Sequence, residues 1–66
     1  MKKITVNGKE IDFNGNTLKD LIQNYNLKPE MIAVERNREI VKKDSYDSQS
    51  VMDGDIIELV RFVGGG

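Results

Sequence analysis

Hydrophobic and polar residues alternate along the first part of the chain. Ile4 and Val6 stand between polar neighbours, as do Ile11 and Phe13, and Asn7-Gly8 separates the two runs. Period-two alternation on both sides of Asn-Gly predicts a β-hairpin over residues 3–13, because a two-residue type I′ turn needs positive φ at both central positions. The period then changes. Leu18, Leu21, Ile22 and Tyr25 fall at i, i+3, i+4 and i+7, a single apolar stripe of a helix. Thr17 is suited to cap its N-terminus, with Asp20 three residues on as the reciprocal partner. Asn24 and Asn26 weaken the last turn and Pro29 opposes continuation, so the helix is expected over about residues 18–26.

Alternation returns in Met31 to Glu35, with Ile32 and Val34 on one face and Ala33 and Glu35 on the other. After the polar turn Arg36-Asn37-Arg38-Glu39, Ile40-Val41 forms a short fourth strand. Lys42 to Ser50 reads as an irregular connection anchored by Tyr46. Asp53-Gly54-Asp55 is a turn, and Ile56 to Phe62 the last strand. The order β-β-α-β-β-β with one helix favours an α+β fold in which a mixed sheet of about five strands packs on that helix. Ile4, Val6, Leu18, Leu21, Ile22, Ile32, Val34, Ile57 and Leu59 are the expected core. Alternation sends Ile56, Glu58, Val60 and Phe62 to the other face, which no remaining element can cover.

Composition narrows the chemistry. A chain of 66 residues has room for one hydrophobic core. It contains neither Cys nor His, which excludes disulfides, Cys/His zinc sites, thiol nucleophiles and a histidine general base. Ten Lys+Arg against eleven Asp+Glu are interspersed, for a net charge of −1. No basic stripe with aromatic residues points to nucleic acid. Apolar runs stay far below the ~20 residues needed to cross a bilayer, so a cytoplasmic protein is expected. Asp44 with Asp47, and Asp53 with Asp55, are formally paired carboxylates, but turn chemistry explains them better than catalysis. Ser45, Ser48 and Ser50 have no histidine to activate them.

The distinctive feature is Gly64-Gly65-Gly66 directly after the last strand. Three glycines bury nothing and are entropically costly to order; on their own they fit either a disordered chain end or threading through a narrow enzyme channel where a Cβ would clash. Extended, residues 63–66 reach about 14 Å. The division expected is a globular domain over residues 1–63 and a glycine tail over 64–66.

Several segments together resemble the ThiS family of thiamine-biosynthesis sulfur carriers, β-grasp proteins related to molybdopterin carriers and ubiquitin. They are Ile4-Thr5-Val6-Asn7-Gly8-Lys9-Glu10-Ile11, Thr17-Leu18-Lys19-Asp20-Leu21, Val34-Glu35-Arg36-Asn37, and residues 53–66 with their Phe-Val-Gly-Gly-Gly ending. The resemblance implies a carrier rather than an enzyme. A ThiF-like partner using ATP and magnesium would adenylate the Gly66 carboxylate. Sulfur relayed from a donor such as a cysteine desulfurase would convert it to a thiocarboxylate, and a ThiG-like thiazole synthase would receive that sulfur. The chain itself would bind no cofactor or metal and would be a monomer when free. Gly64 and Gly65 would thread the channel. Separately, the uncovered face of the last strand makes Val60, Phe62 and Ala33 the expected partner contacts, with Arg61 orienting the tail; the alternative is that Phe62 folds back onto the core. A carrier for molybdopterin or another product, and a plain interaction module whose tail is never activated, are the competing readings. Two departures from the family pattern concern loops. Asn37 is followed by Arg38 where relatives often have Gly, so a type I′ turn is not expected there. Lys42-Lys43 stands where many members have Pro.

Overall fold

The computed structural model describes residues 1–62. Its elements are β1 (Lys2–Val6), β2 (Lys9–Phe13), α1 (Leu18–Asn24), a 3₁₀ turn (Pro29–Met31), β3 (Ile32–Arg36), β4 (Glu39–Val41), a second 3₁₀ turn (Lys43–Ser45) and β5 (Ile56–Arg61). Five strands form one sheet in the order β2-β1-β5-β3-β4. β5 runs parallel to β1 and antiparallel to β3, and both hairpins are antiparallel. The last strand thus lies at the centre of the sheet, and α1 covers one face. This is the β-grasp arrangement expected from the element order.

All nine expected core residues are buried, joined by Phe13, Tyr46 and Val51. Tyr46 anchors the long connection, and burial of its ring pushes the phenol pKa up. That connection also serves the helix. Main-chain N–H groups at a helix start lack intrahelical partners, and here Leu18 and Lys19 donate to the carbonyls of Gln49 and Tyr46 at 3.0 Å each. Thr17 and Asp20 form the capping box predicted from sequence. The Asp20 carboxylate accepts from the N–H groups of Thr17 and Asn16 at 3.0 Å, which holds its pKa below the usual carboxylate range.

Three expectations need correction. The helix ends at Asn24, not Asn26. Asn26 adopts φ 56°, and the N–H groups of Asn26 and Leu27 donate back to Gln23 and Ile22. This is a Schellman closure with asparagine in the left-handed position, and it leaves Tyr25 at the C-cap, 40% exposed, instead of in the core. The second correction concerns the β3–β4 turn. Asn37 and Arg38 have φ of 50° and 72° within a two-residue loop closed by Arg36 and Glu39, the positive-φ pair of a type I′ turn. The cost of positive φ at Arg38 is outweighed by what the turn lets Asn37 reach. The third concerns the Asp53-Gly54-Asp55 turn, where turn chemistry alone does not account for Asp55. Asp55 is only 5% exposed, because it receives a side chain from β3.

Candidate functional site

β5 is the element that leads toward the C-terminal glycines, and polar side chains at its start and along its length fix its register. The Asp55 carboxylate accepts from Arg36 Nε at 2.8 Å, from the Met52 N–H at 2.8 Å and from Asn37 Nδ2 at 3.1 Å. Burial alone would raise the Asp55 pKa. The guanidinium and the other donors outweigh that effect and hold it below the usual range. Asn37 also takes the Ile56 N–H on its Oδ1 at 2.9 Å, and its own N–H donates to the Ile56 carbonyl at 2.7 Å.

A second asparagine secures the other edge of the strand. β1 pairs with β5 only at Thr5 with Ile56 and Val6 with Ile57. Beyond that, Asn7 at φ 51° extends the ladder with its side chain. Its Oδ1 accepts the Leu59 N–H at 2.8 Å and its Nδ2 donates to the Leu59 carbonyl at 3.2 Å. Each turn asparagine therefore does two things: it tolerates positive φ and it stitches a hairpin to the central strand. Sequence reading found only the first role for Asn7, and it missed Arg36 and Asp55. The available signal was an acidic residue immediately before an apolar strand, where packing admits a carboxylate only with a partner.

Of the residues expected to contact partners, Val60 and Phe62 are 54% and 56% exposed and Ala33 is half-buried. Register places Ala33 directly beside Val60 on the open face, and the Phe62 N–H donates to the Met31 carbonyl at 2.9 Å. The exposed side chains of Met31, Ile40 and Ile56 accompany them. Arg61 pairs with Ile32 and so belongs to the opposite face; the structure does not gather it with Val60 and Phe62. Gly64, Gly65 and Gly66 lie outside the described residues. Among the described residues no cluster of three or more His, Cys, Asp or Glu could hold a metal ion, and no helix is long and apolar enough to cross a membrane.

The family model of the ThiS family matches residues 4–66, from β1 through the terminal glycines. The chain belongs to the ThiS family. The sulfur carrier protein ThiS of Bacillus subtilis (strain 168) is 40% identical over 65 residues, covering 96% of this chain and 98% of that protein. A thiazole synthase of Paramagnetospirillum magneticum is 43% identical over 65 residues, which span 97% of this chain but only 20% of the synthase. In space, the crystal structure of a thiamine biosynthesis protein (ThiS) from Geobacter metallireducens superimposes with a TM-score of 0.81 at 32% identity, covering 97% of this chain and 99% of that one.

Proposed function

We propose that this family member is a sulfur carrier of thiamine biosynthesis whose working group is the carboxylate of Gly66. The observation that carries the reading is the ThiS family match extending through residue 66. The whole-length likeness to a sulfur carrier protein supports it.

The described residues suit a carrier that depends on partner enzymes. A carboxylate is a poor electrophile, so it must first be activated, and this chain has no glycine-rich phosphate loop of its own. In the proposed cycle a ThiF-like enzyme supplies ATP and magnesium. A Gly66 carboxylate oxygen attacks the α-phosphorus, pyrophosphate leaves, and an acyl adenylate remains. A persulfide on a partner cysteine, charged by a cysteine desulfurase, then attacks the acyl carbon through its outer sulfur and expels AMP. A second partner thiol cleaves the resulting acyl disulfide, forming a partner disulfide and leaving the thiocarboxylate. Sulfide from another donor would expel AMP and give the thiocarboxylate in one step. The resulting thiocarboxylate gives its sulfur to a ThiG-like thiazole synthase. Gly64 and Gly65 pass through the enzyme channel because they have no Cβ to obstruct it. The rigidly registered β5 presents the tail, and Val60, Phe62 and Ala33 form the docking surface.

The test is a pair of tail variants. Deleting Gly66, or appending one residue after it, should abolish activation and leave the melting temperature unchanged. Full-rate thiocarboxylate formation on an extended, untrimmed tail would refute the assignment.

A further inference from the structure

On the open face, β3 and β5 place Glu35 directly opposite Glu58. Side chains so paired have Cβ atoms only about 5 Å apart, and like charges there destabilise a sheet. Both glutamates are half-buried. The ion pairs among the described residues are Lys19–Asp47 and Arg36–Asp55. Neither Lys3, Arg38 nor Lys42 pairs with either glutamate. Apolar residues border the two carboxylates: Ala33 and Val60 along the strands on one side, Ile56 on the other, and Ile40 across from Glu35. Neither carboxylate has an ion-pair partner among the described residues to offset that repulsion. Two independent features therefore coincide on one face: an exposed apolar patch, which marks a protein interface, and two uncompensated charges at its middle.

We propose that this face docks a thiazole synthase through one basic side chain of that enzyme, seated between Glu35 and Glu58 and enclosed by the apolar residues around them. This rests on the thiamine-pathway reading above. Charge complementarity selects a cation, and an arginine fork can bridge two carboxylates at once. The synthase is the partner to which the comparisons point, since relatives exist in which a thiazole synthase and a segment like this chain share one polypeptide. The apolar rim keeps water from the ion cluster, the setting in which interface charges matter most.

The experiment is calorimetric titration of the full chain into the thiazole synthase of the same organism. It compares wild type with Glu35→Gln, Glu58→Gln, the double variant and Phe62→Ala, each with a thermal melt. The double variant should bind about tenfold more weakly or worse, and should lose most of the wild-type dependence on salt. Its melting temperature should be unchanged or raised by about 1–5 °C as the repulsion is relieved. A purely structural role for the glutamates would move binding and stability down together. If the double variant binds like wild type while Phe62→Ala weakens binding, the face docks without reading the glutamates and this inference is overturned alone. If neither change weakens binding, the docking surface is overturned as well. If wild type itself does not bind, the pathway reading falls.

Discussion

Replacing Asp55 by Asn probes the junction that organises the central strand. The carboxylate receives Arg36 Nε and the Met52 N–H on one oxygen, and Arg36 Nη2 and Asn37 Nδ2 on the other. An asparagine keeps one acceptor and turns the other into a donor, so one of these pairs must face a donor. With the acceptor kept toward Met52, Asn37 loses its partner. Rotating the Asn37 amide to compensate would then take its oxygen from the Ile56 N–H. A buried donor left unpaired costs about 1–3 kcal/mol, and the lost charge assistance adds to this. Breaking a well-buried ion pair costs about 3–5 kcal/mol, and Arg36 retains 23% exposure, so the expected loss is about 2–4 kcal/mol. For a domain of this size the melting temperature should fall by about 10–25 °C.

The pH dependence gives the same substitution a second readout. The folded pKa of Asp55 is depressed, so its stabilisation is present above the unfolded value of about 3.9 and fades as pH falls through the lower folded value. Asp20 behaves similarly, but it is common to both proteins and cancels in their difference. Thermal and urea melts followed by circular dichroism should therefore show a wide gap between wild type and variant at neutral pH that closes below about pH 4. A variant melting within about 2 °C of wild type at neutral pH would show that the Arg36–Asp55–Asn37 junction does not hold the strand.

Two further substitutions test the fold. Leu21→Ala removes a fully buried side chain of the helix and should cost about 2–5 kcal/mol in urea denaturation; a loss below about 0.5 kcal/mol would contradict its place in the core. Arg38→Gly should relieve the positive φ of 72° and stabilise the protein by about 0.5–1 kcal/mol, net of the extra chain entropy of glycine. A lower melting temperature would mean that the Arg38 side chain contributes more than its backbone costs.

The comparison of expectation with structure separates local signals from distant ones. The first hairpin was legible because its alternation and its Asn-Gly turn agree, and the helix start because Thr17 and Asp20 sit at capping-box spacing. The helix end misled because Tyr25 continues the apolar period while the backbone has already turned at Asn26. The β3–β4 turn misled for a different reason. Local preference weighs against Arg38 at positive φ, but the contacts that decide the turn run from Asn37 to Asp55 and Ile56, remote in sequence. Asp55 shows the same limitation: Asp-Gly-Asp looks like a solvated turn until Arg36 is brought to it by the pairing of β3 with β5. The open face was legible from the period of β5 alone, yet the confrontation of Glu35 with Glu58 depends on register across strands. The glycine tail stands out in the sequence by its position after the last strand, and it lies outside the described residues.

The central claim is that Gly66 carries sulfur, and the most direct measurement is intact mass. The protein would be incubated with ATP, magnesium, a ThiF-like enzyme and a sulfur donor, then fragmented to locate any change. The account predicts a gain equal to the replacement of one oxygen by one sulfur, confined to the Gly66 carboxyl group and dependent on ATP. An unchanged mass in a mixture that charges another member of the family, or sulfur located anywhere but Gly66, would contradict it.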